Sequence, residues 1–384
     1  MSEILNIKNL SLDFKIQNQL YPAISNVDMS VKSKEIIGIV GESGSGKSLT
    51  AKTIMGIAPN NAHIDYEILN YKGKDINQTL KKNRKNIQGK EISMIFQDSG
   101  SALNPLTRVG KQIQEVLKIH KINSKDQRKR MTMDLLGDVG FPDPQSIYRS
   151  FPHELSGGMR QRIMICMALI AEPDLIIADE PTTALDTTIQ KQILDILYRL
   201  IREKEKSMII ITHDWGVINE MCDRVYVMYA GKVVEEGSVE QIVHHPRHSY
   251  TKALLKAIPS LKSKGHPLFY IPFKVSSITD RRHGEWPYLE FSKSNEEYIR
   301  KNFPEFIIEE YKSSKTASGN SKDDNKDKLT RSLAQDSKEE KSNGHASLPN
   351  YSDKAKADTI IHQVPDLPNL NNKSVKEKRD LEED

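Results

Sequence analysis

The first segment with recognisable chemistry is a glycine-rich run of eight residues. It consists of Gly41, Glu42, Ser43, Gly44, Ser45, Gly46, Lys47 and Ser48. The glycines let the backbone curl so that successive N–H groups point at phosphate oxygens, and the helix that Ser48 and Leu49 begin adds its positive end. Lys47 can reach the outer phosphates of a nucleoside triphosphate, and the Ser48 hydroxyl can bind Mg²⁺. The run follows the strand-like E-I-I-G-I-V, so it predicts a nucleotide-binding loop rather than an ordinary glycine-rich turn.

A pair of adjacent carboxylates ends another apolar run, L-I-I-A-D-E, from Leu175 to Glu180. Asp179 stands at the carboxyl end of the predicted strand, where it can hold Mg²⁺ through the water shell of the ion. Glu180 follows, where it can take a proton from an attacking water. Alone, such a pair of carboxylates after a strand is as often the start of a loop as a functional site. Beside a phosphate-binding loop in the same sheet, it predicts a hydrolytic site.

A second candidate anion site is the start of an apolar helix. The run reads L-S-G-G-M-R-Q, and its candidate binding residues are Ser156, Gly157, Gly158 and Gln161. Ser156 is placed to cap the helix, and the two glycines leave backbone N–H groups exposed. The alternative is an ordinary serine-capped helix after a turn.

Four short apolar runs rich in β-branched residues predict buried parallel strands. They are Ile36–Val40, Ser93–Phe96, Leu175–Ala178 and Met208–Thr212. Helical patterns lie between them, the clearest over Thr187–Glu205, whereas Leu106–Met164 has helical composition without a strong strand. We therefore expect an α/β domain with a mainly parallel sheet and an inserted helical subdomain over about residues 105–165.

Composition excludes several classes of protein. The 384 residues carry 56 Lys and Arg against 52 Asp and Glu, a surplus too small and too evenly spread for a dedicated nucleic-acid binder. The longest apolar run, Ile163–Ala171, is too short to span a bilayer, and the opening M-S-E-I lacks the features of a secretory leader. Cys166 and Cys222 cannot form a disulfide framework, so we expect two core thiols in a reducing, cytoplasmic compartment.

The end of the chain differs in composition from the rest. Residues 313–384 consist mainly of Lys, Asp, Glu, Ser and Asn, and Tyr351 is their only aromatic residue. Such a segment cannot bury enough apolar surface to offset its loss of conformational entropy, so we expect a disordered charged tail. A short docking element over Thr359–Leu370 is the alternative.

With three further motifs added, the sequence resembles the nucleotide-binding subunits of ATP-binding-cassette (ABC) transporters. Gly41–Ser48 resembles the Walker A motif, L-I-I-A-D-E the Walker B motif and L-S-G-G-M-R-Q the signature motif. Gln97 in I-F-Q-D resembles the Q-loop, Ala184-Leu185-Asp186 the D-loop, and His213 in I-I-T-H-D the switch histidine. The motifs have the order and spacing of that family, and the resemblance covers roughly residues 4–260.

This resemblance implies a P-loop ATPase core with an N-terminal antiparallel β region, and a role for each motif. Gln97 would contact Mg²⁺ or the attacking water, and the Walker B glutamate would polarise that water. His213 would contact the γ-phosphate, although a histidine at a strand end can also be a core residue. Asp186 would bridge to a second subunit. An aromatic residue near the N-terminus should stack on adenine. Phe14, which ends the strand-like L-S-L-D-F, is favoured over Tyr21, with a purely core role as the alternative.

Outside these motifs the sequence resembles the oligopeptide and dipeptide importer branch, which includes nickel importers. The resemblance rests on Pro246–Leu261, on the run Q-D-S-G-S-A-L-N-P-L-T that Gln97 begins, and on Leu268–Val275. Several members carry an iron–sulfur cluster on cysteines soon after this point. This chain has no cysteine after Cys222, so we predict no cluster. The implied organisation is an ATPase domain (1–258), an importer-type extension (259–312) and the charged tail (313–384).

Three histidines, His244, His245 and His248, raise the question of a metal site. Their spacing does not suit pairs of ligands on a helix or a hairpin. We expect them instead to lie in a loop before a helix over Ser249–Ala257.

The resemblance implies an ATPase subunit that powers the import of oligopeptides or dipeptides, with nickel or another small solute as the alternative cargo. It implies two transmembrane permease subunits, a second homologous ATPase and, indirectly, an extracytoplasmic solute-binding protein. A homologous but different ATPase is favoured over a second copy of this chain. Such a subunit would lie at the cytoplasmic face of the membrane. A DNA-repair or translation-associated ABC ATPase is disfavoured, because the chain has one cassette and lacks a long coiled-coil insertion.

Overall fold

The computed structural model describes residues 2–122, 124–183, 185–258 and 277–281. The predicted charged tail, the segment 268–275 and most of the importer-type extension lie outside the described residues, as does Ala184 of the D-loop motif.

The described strands form two sheets and are numbered in chain order. Within the described residues they are β1 (Glu3–Ile16), β2 (Gln19–Lys32), β3 (Ile36–Val40), β4 (Ala62–Asp65), β5 (Ile68–Tyr71), β6 (Lys74–Asp75), β7 (Ile92–Ile95), β8 (Leu175–Asp179), β9 (Ser207–Ile211), β10 (Arg224–Tyr229) and β11 (Lys232–Ser238).

Helices lie in five of the ten connections between successive described strands and pack against the second sheet. Over the same described ranges they are α1 (Lys47–Ile54), α2 (Ile76–Asn83), α3 (Ser99–Ala102), α4 (Val109–Ile119), α5 (Lys125–Asp138), α6 (Pro144–Arg149), α7 (Gly157–Leu169), α8 (Thr187–Glu203), α9 (Trp215–Met221), α10 (Val239–His244) and α11 (Ser249–Lys256). Short 3₁₀ turns cover Arg84–Asn86, Pro152–Glu154 and Ile278–Asp280.

The first sheet is antiparallel and is built on the long hairpin of β1 and β2. Its strand order is β2-β1-β5-β6, and β4 also pairs with β1. Leu5, Ile7, Leu10 and Leu12 of β1 are buried in one apolar cluster with β2 and with the second sheet. The expected N-terminal antiparallel region is therefore confirmed.

The second sheet is mainly parallel, in the order β11-β10-β3-β9-β8-β7, with only the edge strand β11 antiparallel to its neighbour among the described strands. Every residue of β3, β8 and β9 is buried, as the continuous apolar runs predict for strands covered on both faces. The four predicted strands are confirmed, and their ends differ from the predicted ones by at most one residue.

Both faces of β3 are covered. Successive side chains of a strand point to opposite faces of the sheet, and those of β3 pack in two different apolar clusters. Ile37 and Ile39 pack in the apolar cluster that includes the antiparallel sheet. Ile36 and Val40 pack in the other cluster, with helices α4, α7, α8 and α9. The central strand that precedes the glycine-rich loop is thus held rigidly between two layers.

The inserted segment between β7 and β8 is helical, as expected. α4 places Val109, Ile113 and Leu117 on one buried face at intervals of four residues. α5 begins with a capping box, in which the Ser124 hydroxyl and the Gln127 amide each bond to the backbone of the other. Within the part of the chain that the structure describes, no helix has the length and apolarity that a bilayer span requires.

Parallel pairing decides where the candidate residues meet. β3, β7, β8 and β9 run in the same direction, so their carboxyl ends lie at one edge of the sheet. In open α/β sheets, ligands bind outside this edge.

Candidate functional site

The phosphate-binding loop leaves the carboxyl end of β3 and turns into α1. Gly41 has a φ of 151°, and a Cβ at this position would lie 2.1 Å from the Met228 carbonyl oxygen, so only glycine fits. Gly46 caps α1 with a φ of 103°. The Ser45 carbonyl accepts a 2.9 Å hydrogen bond from the Gly231 N–H, which ties the loop to the turn between β10 and β11.

Lys47 lies inside this loop and is only 6% exposed. Its Nζ donates hydrogen bonds of 2.8 Å to the carbonyl oxygens of Gly41 and Glu42. Burial lowers the pKa of Lys47, and three neighbouring carboxylates oppose that shift. The loop thus orients a cation among its own backbone groups.

Ser48 and Asp179 meet beneath the loop. The Ser48 hydroxyl donates a 2.8 Å hydrogen bond to Asp179 Oδ1, and Asp179 is only 4% exposed. Burial raises the pKa of Asp179, and the Ser48 hydrogen bond opposes the shift. A hydroxyl beside a carboxylate at the phosphate loop is the donor set that Mg²⁺ takes together with phosphate oxygens and water. The two residues therefore fit the predicted metal.

The Glu180 side chain, at the end of β8, contacts residues that follow the ends of β7 and β9. Its Oε2 accepts hydrogen bonds of 2.8 Å from both Gln97 Nε2 and Thr183 Oγ1. Its Oε1 lies 3.6 Å from His213 Nδ1. The residue has a φ of 46°, in the left-handed region that non-glycine residues rarely adopt. The alternative of a core histidine is wrong, since the His213 side chain is 72% exposed.

Thr183 is a site residue that the motif analysis did not select. A hydroxyl residue stands three positions after Glu180, but threonines are common in turns, so its type alone does not mark it. Its contact with the Glu180 carboxylate becomes evident only from the geometry of the turn.

The signature segment lies at the start of α7, within the helical part of the fold. The Ser156 hydroxyl accepts a 3.3 Å hydrogen bond from the Met159 N–H, so the predicted cap forms, and Gln161 is buried. A Cβ at Gly158 would lie 2.6 Å from Ile189 Cγ2 on α8. This glycine therefore also allows α7 and α8 to pack closely, a role that the sequence analysis did not predict.

The other predicted residues occupy helix starts and the β1–β2 hairpin. Asp186 caps α8 by accepting a 2.9 Å hydrogen bond from the Ile189 N–H. Phe14 and Tyr21 are opposite each other in the β1–β2 register. Phe14 is half-buried against the core, and the Tyr21 hydroxyl donates to the Gln19 side chain at 2.7 Å. Their role toward adenine stays a prediction.

The three histidines mark helix boundaries. His244 is the last residue of α10, so the prediction of a loop at this position is wrong, and His245 follows as the C-terminal cap. His248 caps α11, because its Nδ1 accepts a 3.2 Å hydrogen bond from the Tyr250 N–H. Within the described ranges, no group of three or more His, Cys, Asp or Glu side chains is placed to hold a metal.

Cys166 is buried in the core between the helices, and Cys222 is partly buried beside β3. Burial raises the pKa of both thiols, so they remain protonated at neutral pH. This agrees with the core role expected from the sequence.

A glycine-rich loop at the end of a central parallel strand, with a carboxylate pair at the end of a second strand, defines a P-loop ATPase. Two family models match the chain. The ABC transporter model matches residues 24–183, and the model of the C-terminal region of oligopeptide/dipeptide transporters matches residues 234–284.

Relatives of known function match most of the chain. The dipeptide transport ATP-binding protein DppD of Escherichia coli is 44% identical over 73% of this chain and 86% of its own length. The oligopeptide transport ATP-binding protein OppD of Bacillus subtilis is 45% identical over 74% of this chain and 80% of its own. The chain therefore belongs to the ABC transporter family, in its branch of dipeptide and oligopeptide transport ATP-binding proteins.

Solved structures give the same fold. The dimeric structure of the ATP-binding cassette MJ0796 with ADP and Pi matches with a TM-score of 0.51 and 27% sequence identity. The match covers 62% of this chain and 99% of the MJ0796 chain. The cassette cbiO1 of Clostridium perfringens is 25% identical, with a TM-score of 0.52, over 64% of this chain and 92% of that one.

Proposed function

We propose that this chain hydrolyses ATP to power the import of dipeptides or oligopeptides through separate permease subunits. The convergence of Gln97, Thr183 and His213 on the Glu180 carboxylate carries the hydrolytic part of the proposal. The transport part is supported by the 44% identity to DppD of E. coli and by the importer-type C-terminal region at residues 234–284.

The phosphate loop would bind the triphosphate through its backbone N–H groups and through Lys47, which already lies among loop carbonyls. Ser48 and Asp179 would hold Mg²⁺, with Gln97 as a further ligand. When bound, the ion would neutralise charge on the phosphate oxygens. Phe14, or Tyr21 opposite it, would stack on the adenine.

Glu180 would act as the general base. Its Oε2 is occupied by two donors within the chain, so Oε1 would accept the proton of the attacking water. Gln97 fixes the carboxylate, and His213, at 3.6 Å from Oε1, would hold the γ-phosphate and the water in line.

The assembly would contain two ATPase subunits on two permeases, at the cytoplasmic face of the membrane. The signature residues Ser156, Gly157, Gly158 and Gln161 would close over the ATP of the partner subunit. The partner would be a homologous but different ATPase, giving a pseudo-symmetric dimer.

The experiment is to purify the full chain from membranes with its partners and to identify the permeases and the solute-binding protein. The complex is then placed in vesicles with that binding protein. We expect ATP-dependent accumulation of a labelled dipeptide or oligopeptide, and none with Glu180→Gln. Accumulation of Ni²⁺ without peptide, or co-sedimentation with ribosomes and no membrane partner, would contradict the proposal.

A further inference from the structure

The C-terminal region contacts the phosphate loop at two points that are far apart in sequence. Tyr250 lies on α11, and Arg281 follows the 3₁₀ turn at Ile278–Asp280. Both belong to residues 234–284, the region that a separate family model matches. Neither residue belongs to a nucleotide-binding motif, yet each bonds to the backbone of the loop.

Tyr250 is fully buried beneath the start of the loop. Its hydroxyl accepts a 3.0 Å hydrogen bond from the Glu42 N–H and lies 3.4 Å from Glu42 Oε2, to which it donates. Its ring packs against Tyr229, with the ring centroids 4.5 Å apart. The imidazole of His248, which caps α11, fixes the Tyr250 backbone. The hydroxyl therefore has a defined position and two partners on one residue of the loop.

The peptide group between Gly41 and Glu42 links this hydroxyl to the catalytic lysine. Its N–H donates to Tyr250, and its carbonyl oxygen accepts the 2.8 Å hydrogen bond from Lys47 Nζ. A peptide group is planar, so a bond that fixes its N–H also fixes the direction of its C=O. Tyr250 thereby fixes the orientation of the Gly41 carbonyl, which is one of the two carbonyls that bond to Lys47.

Arg281 fixes a second peptide group of the same loop. It is only 6% exposed, and its two terminal nitrogens donate to the carbonyl oxygens of Gly44 (3.3 Å) and Ala23 (3.4 Å). The guanidinium thus joins the loop to β2, while Ile278 packs against the same apolar cluster as β2. Gly44 has a φ of 79°, and a Cβ there would meet no atom within 4 Å. The Gly44 Cα therefore faces open space, and the charge-assisted bond from Arg281 to the Gly44 carbonyl holds this part of the loop to β2.

We propose that Tyr250 and Arg281 are positioning residues, through which the C-terminal region holds the phosphate loop in the shape that binds ATP. The inference rests on the proposed function in that Gly41–Ser48 binds the phosphates of ATP. Neither side chain needs to touch the nucleotide. Each acts through a loop peptide, so its loss raises the KM for ATP more than it lowers kcat.

The first test is Tyr250→Phe, which removes only the hydroxyl and leaves the Glu42 N–H without that acceptor. We expect the KM for ATP of the assembled complex to rise about tenfold, with kcat changed less than threefold. The matched control is Tyr226→Phe. Tyr226 is an equally buried tyrosine whose hydroxyl accepts from the Ser30 N–H on β2 rather than from the loop.

The second test compares Arg281→Met with Arg281→Lys. The methionine cannot bond to Gly44, and we expect a rise in KM of about tenfold. A lysine can reach one carbonyl as a point charge, so it should restore part of the affinity. The control is Arg202→Met, which removes a guanidinium bonded to the Lys34 carbonyl, just before the amino end of β3. Melting temperatures of all variants are measured alongside.

The proposal is overturned if Tyr250→Phe and Arg281→Met melt at lower temperature, as their controls do, but keep the wild-type KM for ATP. If Arg281→Met does not fold, the phenylalanine and lysine variants decide the question alone. A wild-type complex that neither binds nor hydrolyses ATP would contradict the proposed function instead. If the wild-type complex hydrolyses ATP normally and the Tyr250 and Arg281 variants keep the wild-type KM for ATP, only this inference is contradicted.

Discussion

Gln97 Nε2 donates a 2.8 Å hydrogen bond to Oε2 of Glu180, which joins the segment after β7 to the end of β8. Thr183 donates to the same oxygen at the same distance, whereas Oε1 lies 3.6 Å from His213 Nδ1. One carboxylate oxygen is therefore bonded within the chain, and the other lies toward an exposed histidine. In the proposed mechanism, we therefore expect Oε1 to be the oxygen that receives the proton of the attacking water.

Glu180→Gln tests that assignment, because it keeps the size of the side chain and removes its basicity. ATP binding should be unchanged, and turnover should fall by about 10²–10⁴-fold. Steady-state ATPase assays and equilibrium nucleotide binding give the two readouts. Glu203→Gln removes an exposed carboxylate near the end of α8 and should leave both unchanged. Near-normal turnover of Glu180→Gln would show that another group takes the proton.

Ser48→Ala tests the hydroxyl that bonds to Asp179. Without it, we expect about ten times more Mg²⁺ for half-maximal hydrolysis, since one oxygen of the proposed site is lost. The control is Thr53→Ala, because the Thr53 hydroxyl on the same helix bonds only to the Leu49 carbonyl among the contacts that the structure describes for it. A wild-type Mg²⁺ dependence in Ser48→Ala would mean that Ser48 is not a ligand.

Much of the site could be predicted from the sequence because its parts are local patterns. A strand buried on both faces reads as an unbroken apolar run, and the residue that follows such a strand lies at the carboxyl edge. Once β3, β7, β8 and β9 are parallel neighbours, the residues after them must meet. This is why Lys47 and Glu180 could be selected from the residues alone, whereas Gln97 and His213 were selected through the resemblance to the ABC family.

The contacts to the phosphate loop from the C-terminal region could not be predicted in this way. Tyr250 and Arg281 bond to residues 208 and 237 positions earlier, and no local pattern specifies which side chain of a helix faces a distant loop. The error at His244 is of another kind. Ser238 and Gln241 form a capping box, a local signal three residues apart that marks the start of α10. That signal was present in the sequence and predicts the helix.

The pKa of His248 leads to a prediction about stability. Burial and, to a lesser extent, the neighbouring charge of Lys252 together lower this pKa from 6.5 to about 4. The unfolded chain therefore binds a proton between these pH values, whereas the folded chain does not. Folding stability should be fully present above about pH 6.5 and fall as the pH drops toward 4, by roughly 3 kcal/mol in total.

His248→Asn isolates this contribution. Asparagine can still accept from the Tyr250 N–H as a helix cap, but it does not titrate. The difference in unfolding free energy between wild type and variant, measured in urea from pH 4.5 to 8, should therefore shrink as the pH falls. His153→Asn, at an exposed position, is the control and should keep the wild-type slope. A constant difference between wild type and His248→Asn would contradict the prediction.

The phosphate loop follows β3, whereas Ser156 caps α7 at the end of the helical subdomain, and both present backbone N–H groups suited to anions. We expect each ATP to lie between the loop of one subunit and the signature of the other. Lys47→Ala should then damage one composite site, and Ser156→Arg should damage the other.

Double variants separate this arrangement from a site built within one chain. Lys47→Ala combined with a signature variant of the partner should damage a single composite site, so the second change adds little loss of ATPase activity. Lys47→Ala combined with Ser156→Arg in this chain damages both sites and should abolish activity. Each combination is assayed in the assembled complex, with ATP trapping to count the occupied sites. Full-rate hydrolysis by the isolated monomer would rule out shared sites. So would the opposite result for the double variants, in which the pair within this chain adds little loss of ATPase activity and the pair across the two subunits abolishes it.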